Sequence, residues 1–489
     1  MNRTDRQNSV TQLLTRVSLA GALLFFGGSG YAQETSLPSI GGSGGLISGQ
    51  QEAEIGQQVM SSIRRSAPQI QDPLIYDYLQ AITYRLVPSA PLDNRDLKLV
   101  LIDSPALNAF AVPGGIVGVN GGLFLNAATE QQFASVMAHE LAHLSQRHFA
   151  RRMEQQETSA PLTIAGMIAG IVLSAVTQSD IGIAAIAGTQ ALSIQNMLAY
   201  SRSHEQEADR VGMEILANAG MDPRGMPEMF EVMMRQNRLQ GRQMPEYLST
   251  HPLTQNRVAD SRNRAEQFPD ERIPDGQEYH LIRSRLQVRY AQTPELAVQT
   301  FESYLARDDA KRNDAIRFGL GIAYQHNRQY DKAEQILREL LDSNPGRITF
   351  QVTLAEILLD QERYDDARAL MQEALARNPR NYPITWTLAN IHIADGNGGS
   401  AANLLRDLTR RLPDREQIWL RLAEAEGMSR NIVGVHRARA EYYALMGDLQ
   451  SAQRQLRQAQ EKLPAGSAER QVVNERLNDI ADSLQARRG

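Results

Sequence analysis

A period of 34 residues in the C-terminal half of the chain restricts its fold more than any other feature. The tetrad Tyr-Asp-Lys-Ala at 330–333 returns 34 residues later as Tyr-Asp-Asp-Ala, and a pair of alanines stands a further 34 residues on. The repeated positions are Leu320, Leu354 and Leu388; Gly321, Ala355 and Ala389; Ala333, Ala367 and Ala401; and Pro345, Pro379 and Pro413. Agreement of four position classes over three units indicates one structural unit that stacks on itself.

This period, with small residues where helices touch and proline at the end of each unit, is typical of tetratricopeptide helix pairs. We therefore predict an all-α solenoid of about four units over 276–489. Two departures predict a bent array. Pro294–Leu305 is typical of the second helix of a degenerate first unit, and Ala452 follows Ala401 by 51 residues, or one and a half periods. The second departure predicts an extra helix within the array.

The composition limits the kinds of site that the chain can hold. Its 489 residues are enough for two or three domains, and a formal charge of −5 excludes a generally basic nucleic-acid binder. The chain has no cysteine, which excludes a disulfide scaffold, thiol catalysis and cysteine-ligated metal. Any metal must therefore be held by histidine, aspartate or glutamate.

The first 32 residues have the pattern of a secretory signal peptide. Three arginines flank or precede a short apolar stretch, which is followed by small residues up to Gly30-Tyr31-Ala32. We predict cleavage after Ala32 and export, which in a bacterium means the periplasm. The alternative is a membrane anchor, but about ten apolar residues are too few to cross a bilayer. Residues 33–50 are rich in Gly and Ser and are predicted to be a flexible linker.

Residues 51–275 are predicted to form a separate domain that mixes helices with a small sheet, so that the whole chain is mainly α (α+β). Apolar spacings of three and four residues predict a helical stretch over 51–87, and residues 96–103 have the composition of a strand. Glycines in 104–124 predict strand–turn–strand. A T-x-x-Q capping box at Thr129 then predicts the start of a helix.

That helix carries the motif H-E-x-x-H at 139–143. Positions i and i+4 share one helix face, so His139 and His143 can both bind one Zn²⁺. Glu140 can then serve as general base for a water that attacks a peptide carbonyl. The alternative, an accidental motif, is less compatible with an otherwise apolar helix. The sequence therefore predicts a zinc site.

A catalytic zinc needs a third protein ligand, and the same helix offers none at a suitable place. His148 lies off the ligand face and is predicted to cap the helix or make a buried hydrogen bond. In R-S-H-E-Q-E-A-D at 202–209, Glu205 and Asp209 are one helical turn apart. One of these carboxylates could bind the metal and the other could accept a hydrogen bond from a metal-binding histidine. Glu207 is predicted to face away from both. The alternative is a solvated charged helix.

Three motifs together resemble a known family. N-A-F-A-V-P-G-G (Asn108–Gly115), H-E-L-A-H and R-S-H-E-Q-E-A-D are similar to those of the HtpX/CAAX-prenyl-protease group of gluzincin metallopeptidases. The signal peptide and the repeats make the chain similar to periplasmic protease–chaperones of that group. The resemblance implies a zincin-like fold and one Zn²⁺ per chain. It also implies that the zinc ligands are His139, His143 and Glu205. Glu140 would be the general base, and Asp209 would be a supporting carboxylate.

The resemblance implies three further roles. The hairpin beside the zinc would pair with substrate as an added strand, through Ile116, Val117, Gly118 and Val119. His251, in Ser249-Thr250-His251-Pro252, would be a fourth ligand that keeps the protease latent and, once released, a catalytic residue that stabilises the transition state. Arg257 would order that loop. From the residues alone, His251 could equally cap a helix before proline.

Between the two ligand motifs, residues 161–198 are apolar and rich in small residues. The apolar runs break after about 15 residues, which is short for a spanning helix. We predict a buried helix pair or a mobile flap over the site. The alternative is a segment that dips into a membrane, so that peripheral membrane association stays open.

Two functions from different classes follow. The first is a periplasmic zinc endopeptidase and chaperone in outer-membrane protein quality control, with a self-inhibited site. The second is mainly a chaperone or assembly scaffold whose protease site is latent. The resemblance implies unfolded or misassembled outer-membrane β-barrel proteins as clients and the barrel-assembly machinery as partner of the repeats. No nucleic-acid partner is expected.

Overall fold

The computed structural model describes residues 48–155, 201–239, 246–269, 273–307 and 313–486. The predicted signal peptide, nearly all of the predicted linker and the apolar segment 161–198 lie outside these residues. Within the described residues, no helix combines the length and the apolar character needed to cross a membrane.

Two helices precede the sheet: α1 (Gly49–Ser66) and α2 (Pro73–Leu86). Helix α1 begins inside the predicted linker because Ser48 and Gln51 form a capping box there. The stretch over 51–87, which was predicted to be helical, forms two helices. It is broken between the two helices, since Asp72 accepts hydrogen bonds from two backbone N–H groups of α2 and Pro73 stands at its first turn.

The sheet has three strands, β1 (Lys98–Ile102), β2 (Ala109–Val112) and β3 (Ile116–Asn120), in the order β1-β3-β2. Strand β3 lies in the centre, parallel to β1 and antiparallel to β2. Gly114 and Gly115 make the β2–β3 turn with φ of +83° and +75°, a backbone conformation that favours glycine. The predicted strand and strand–turn–strand are therefore confirmed.

Three helices follow: α3 (Gly121–Asn126), α4 (Glu130–Ser145) and α5 (His148–Gln155). Thr129 caps α4 by accepting from the Gln132 N–H at 3.2 Å. The Gln132 side chain accepts from the Ala128 N–H instead of completing the capping box. Every residue from Glu130 to His143 is buried, so the polar side chains of α4 must be paired inside the protein or must serve a function.

Four more helices belong to this part of the chain: α6 (Arg202–Asn218), α7 (Gly225–Leu239), α8 (Glu246–Thr250) and α9 (Gln255–Ala265). Helix α6 packs directly along α4. At Gly212 of α6, a Cβ atom would lie 3.2 Å from the backbone nitrogen of His139. This close approach brings the two motif-bearing helices within reach of one another.

The remaining described chain is helical, and four helix pairs keep the 34-residue step. Their first helices start at Asp314, Ile348, Tyr382 and Glu416. One pair precedes them and one follows, so the predicted count of about four units is too low. In chain order the helices are α10 (Gln277–Arg289), α11 (Pro294–Leu305), α12 (Asp314–His326), α13 (Tyr330–Ser343), α14 (Ile348–Asp360), α15 (Tyr364–Arg377), α16 (Tyr382–Ala394), α17 (Gly398–Arg411), α18 (Glu416–Met428), α19 (Ile432–Leu445), α20 (Leu449–Glu461) and α21 (Ala468–Ala486).

The two predicted departures from the repeat have different outcomes. Pro294–Leu305 is helix α11, which pairs with α10 ahead of the regular units. The predicted extra helix is wrong: α19 is the second helix of the fourth regular pair, and Ala452 lies on α20, the first helix of the next pair. Helices α19 to α21 share a small hydrophobic cluster of their own.

The repeat helices pack against the first helices of the chain. Arg285 of α10 is bonded to Asp72, at the start of α2, and donates to Glu356 of α14 at 2.8 Å. The ring of Tyr76 on α2 meets that of Tyr382 on α16 with centroids 6.2 Å apart. One hydrophobic core runs without interruption from Ile70 to Ala438 through both parts of the chain.

Candidate metal centre

Four buried side chains converge between α4, α6 and the residue after α8. They are His139, His143, Glu205 and His251, and one donor atom from each lies within 4.8 Å of all the others. The Nε2 atoms of the two α4 histidines are 2.9 Å apart. The Glu205 carboxylate oxygens lie 3.5 and 3.4 Å from these two nitrogens. The structure thus brings together the four side chains that the sequence singled out as metal ligands.

This donor set fits a metal ion. Nitrogens and oxygens that carry lone pairs lie within 4.8 Å of one another, and a single cation would satisfy all of them. Three imidazoles and one carboxylate are a donor set that zinc accepts. The set needs no cysteine, in agreement with the composition.

Glu140 lies beside the donors. Its side chain is fully buried, and among the described residues neither of its carboxylate oxygens has a hydrogen-bond partner. One of these oxygens is 3.6 Å from His251 Nε2. A buried carboxylate without partners is costly for stability, so its placement here points to chemistry.

A second layer of charges holds the donors. Asp209 Oδ1 lies 3.0 Å from His139 Nδ1, the nitrogen that faces away from the cluster. Arg257 donates to both oxygens of Asp209 at 2.7 Å, and its Nη1 is 2.7 Å from Glu205 Oε2. Arg257 also donates to the Pro252 carbonyl at 2.8 Å, which fixes the loop that carries His251.

His251 is inserted into the cluster. Its Nδ1 lies 3.1 Å from Glu205 Oε1 and 3.4 Å from His139 Nε2. The ring of Tyr247 on α8 stacks against it, with centroids 4.5 Å apart and an angle of 19° between planes. The His251 N–H donates to the Tyr247 carbonyl, so its position is set by α8.

The charges of the cluster follow from burial and contact. Burial opposes the charged form of Glu205, but the neighbouring His251 and Arg257 outweigh it and hold the pKa of Glu205 well below its usual value. Burial lowers the pKa of His143 well below its usual range. For His139, hydrogen bonds to Asp209 and Glu205 outweigh burial and raise the pKa to about 9. The anionic Glu205 and the neutral His143 are in the forms that bind metal, whereas His139 has to release its proton when a metal binds.

Behind His143 lies a second histidine. His148 is fully buried at the start of α5, and its Nδ1 is 2.9 Å from His143 Nδ1. Its Nε2 is 3.2 Å from Glu207 Oε2, and Arg151 Nη1 is 3.0 Å from that same oxygen. Burial lowers the pKa of His148 to about 4. The predicted buried hydrogen bond of His148 is therefore present.

Comparisons with known proteins agree with this geometry. Residues 73–265 match the sequence family described as Peptidase family M48, and residues 290–356 and 358–425 match a tetratricopeptide repeat family. The beta-barrel assembly-enhancing protease of Escherichia coli (strain K12) is 33% identical over 481 residues, which cover 98% of this chain and 97% of that one. The chain belongs to peptidase family M48.

Other relatives match smaller parts of the chain. A putative beta-barrel assembly-enhancing protease of Vibrio cholerae serotype O1 is 40% identical over 311 residues, which cover 63% of this chain and 64% of that one. The human mitochondrial metalloendopeptidase OMA1 is 34% identical over 163 residues, or 32% of this chain and 30% of that one. The chain is thus a metalloendopeptidase, and the predicted fold class and family resemblance are confirmed.

The predicted substrate strand of this M48 peptidase is wrong. Ile116, Val117, Gly118 and Val119 belong to β3, whose two edges are already paired with β1 and β2. Its backbone has no free edge at which a further strand could be added. Among the described residues, β2 is paired on one side only.

Sequence reasoning about this M48 peptidase missed two contacts of the site. The sequence predicted that Glu207 faces away from Glu205 and Asp209, but not that it binds His148, which is 59 residues earlier in the chain. Tyr247, which stacks on His251, was not singled out either. The position of His148 only five residues after His143 was the one sequence feature that could have indicated a role for His148 beside the site.

Proposed function

We propose that this protein is a periplasmic zinc-dependent endopeptidase and chaperone that acts on misassembled outer-membrane β-barrel proteins, with a site that rests in a self-blocked state. The observation that carries the proposal is the convergence of four buried donor side chains beside a buried Glu140, which has no hydrogen-bond partner among the described residues. No stabilising role accounts for that carboxylate, whereas hydrolysis of a peptide bond needs one there.

In this proposal His139, His143 and Glu205 hold one zinc ion per chain. When bound, zinc supplies a Lewis acid that polarises a peptide carbonyl and makes water more acidic. Glu140 accepts the proton of the attacking water and passes it to the leaving amine. Asp209 keeps the His139 ring in place through its 3.0 Å contact, and Arg257 keeps both carboxylates anionic.

His251 is proposed as the blocking group. Its ring occupies the position next to Glu205 and Glu140 where a substrate carbonyl or water would have to enter. Because α8 and the Arg257–Pro252 bond hold His251 from outside the cluster, movement of this one loop would open the site. After release, His251 would stay close enough to stabilise the developing negative charge.

Substrate would then lie along β2 rather than β3. The free side of β2 (Ala109–Val112) is available for an added strand, and β2 packs against α4, the helix that carries His139 and Glu140. Extended peptides bind to such edges through main-chain hydrogen bonds.

Clients and location are proposed from the relatives. The Escherichia coli relative is named for beta-barrel assembly, and the matched repeats are of a kind that binds proteins. We propose outer-membrane β-barrel proteins as clients and their assembly machinery as partner of the repeats. We also propose export through the signal peptide at 1–32, with 51–275 as peptidase domain and 276–489 as repeat domain.

The coordination of bound zinc tests the blocked state. X-ray absorption of the purified zinc-loaded protein is expected to show four protein donors in the wild type and three with water in His251→Ala. Casein cleavage is expected to rise in His251→Ala. Three protein donors in the wild type, together with unchanged cleavage in the variant, would refute the blocked state.

A second candidate is a chaperone or scaffold whose protease site is mostly silent, and the insertion of His251 favours it. Glu140→Gln separates the two, because it keeps the zinc ligands and removes the base. If the endopeptidase function dominates, cells with Glu140→Gln should lose envelope protection to the same degree as cells without the protein. Full protection by the variant would favour the scaffold.

A further inference from the structure

The imidazole of His143 has two nitrogens with different surroundings. Its Nε2 faces His139 and Glu205 at the donor cluster. Its Nδ1 faces the opposite way and meets His148 Nδ1 at 2.9 Å. His148 is fully buried, and its own second nitrogen contacts Glu207 at 3.2 Å. The contacts therefore form a chain from the donor cluster, through two imidazoles, to a carboxylate.

The direction of the hydrogen bonds in this chain follows from chemistry. If Nε2 of His143 gives its lone pair to a metal, the proton of the neutral ring must sit on Nδ1. That N–H then donates to His148 Nδ1, which must be unprotonated. The proton of His148 consequently sits on Nε2 and donates to the Glu207 carboxylate. Arg151, 3.0 Å from the same Glu207 oxygen, stabilises the anionic end.

The other α4 histidine is held differently. Asp209 contacts His139 Nδ1 directly at 3.0 Å, which is the common arrangement behind a metal-binding histidine. His143 has an imidazole in the corresponding place and reaches a carboxylate only through it. Glu207 and Asp209 lie on the same helix, so α6 supports both histidines, one directly and one through His148.

We propose that His148 is a positioning residue for His143. It accepts the His143 Nδ1 proton, fixes the tautomer that leaves Nε2 free, and transmits the negative charge of Glu207 to that ring. This inference rests on the proposed zinc site. His148 touches neither substrate nor the reacting atoms, so its effect on catalysis is through His143 alone.

Packing is the competing explanation, because the ring of His204 stacks on His148 with centroids 4.5 Å apart and an angle of 17°. A ring that only fills space would tolerate replacement by phenylalanine. If His148 serves as a hydrogen-bond acceptor, phenylalanine would not replace it, whereas asparagine would replace it in part, because Asn Oδ1 can take the place of Nδ1 but nothing takes the place of Nε2. These two substitutions of His148 therefore separate the two explanations.

The experiment measures zinc affinity of the full-length protein by competition with a chelator of known affinity, together with the visible absorption of the Co²⁺-substituted protein. In His148→Phe, zinc affinity is expected to fall roughly 10- to 100-fold, the range found for loss of such partners, with a changed Co²⁺ spectrum. His148→Asn keeps the acceptor for His143 but loses the link to Glu207, so its loss should be clearly smaller than that of His148→Phe. Glu207→Gln should give an intermediate loss.

His204→Phe is the matched control, since it keeps a stacked ring and leaves the hydrogen-bonded chain intact; its zinc affinity should equal that of the wild type. Equal affinity in His148→Phe and the wild type would overturn the inference while the zinc site stands. Failure of the wild type to bind zinc would instead refute the proposed function. If His148→Phe does not fold, the inference stands or falls on Glu207→Gln: an affinity equal to that of the wild type refutes it.

Discussion

The guanidinium of Arg257 bridges two buried carboxylates, and its removal should cause a large, local loss of stability. It makes three contacts of 2.7 Å, two with Asp209 and one with Glu205. The three side chains are almost completely buried. Arg257→Met keeps an unbranched side chain but removes the guanidinium, whose central carbon lies 5.1 Å from the centre of the Phe230 ring, and leaves both anions without this cation.

The size of the effect can be worked from these contacts. Each charge-assisted hydrogen bond contributes about 1.5–3 kcal/mol, and part of that sum is offset because Arg257 itself no longer has to be desolvated. Breaking a buried ion pair by removing one partner typically costs about 3–5 kcal/mol. We therefore expect a local loss of about 3–5 kcal/mol in the free energy of opening of α6 and α9.

Native-state hydrogen exchange of metal-free protein measures this quantity, because the energy of bound metal would otherwise mask it. A loss of that size corresponds to exchange of α6 and α9 amides roughly 100- to several-thousand-fold faster. The matched control is Arg262→Met on the same helix, whose partner Glu231 is exposed. It should change exchange by less than about tenfold, as surface pairs do. A rise below tenfold in Arg257→Met as well would refute the reasoning.

Two further predictions concern stability. Burial and the nearby Glu278 carboxylate raise the pKa of Asp77 to about 6. Its charged form therefore costs stability above pH 6, and the cost vanishes below pH 4, where Asp77 is protonated in both states. Asp77→Asn should stabilise the protein at pH 7.5 by up to about 3 kcal/mol and not at pH 3.5, measured by thermal unfolding; an equal midpoint at pH 7.5 contradicts this. At Gly56 a Cβ would lie 2.6 Å from the Pro113 carbonyl oxygen. Gly56→Ala should lower stability by about 1–3 kcal/mol in thermal unfolding. The control is Gly49→Ala, which should not lower stability because there is open space around Gly49. A smaller loss of stability at Gly56 than at Gly49 would count against the packing of α1 on the β2–β3 turn.

The parts of the structure that the sequence predicted are those set by local period. The i, i+4 spacing of His139 and His143 places both rings on one face of α4 whatever surrounds the helix. The 34-residue step likewise fixes where helices start, because each unit meets only its neighbours.

The parts that were missed depend on contacts between distant segments. The sequence of the β2–β3 hairpin does not show which of its two strands has a free edge, because β1, which precedes the hairpin in the chain, pairs with β3. The pairing of His148 with Glu207 joins α5 to α6 across 59 residues. The break after α1 was visible locally in Asp72-Pro73, but apolar residues on both sides concealed it.

The uninterrupted core from Ile70 to Ala438 has a consequence for genetic dissection of the protein. A chain cut at residue 275 would expose Tyr76 on α2, which packs on Tyr382, and would leave Asp72 without Arg285. The fragment would lose part of its own interior, so its instability would say nothing about what the repeats recognise. Recognition by the repeats is therefore better examined by surface substitutions in the intact chain than by truncation.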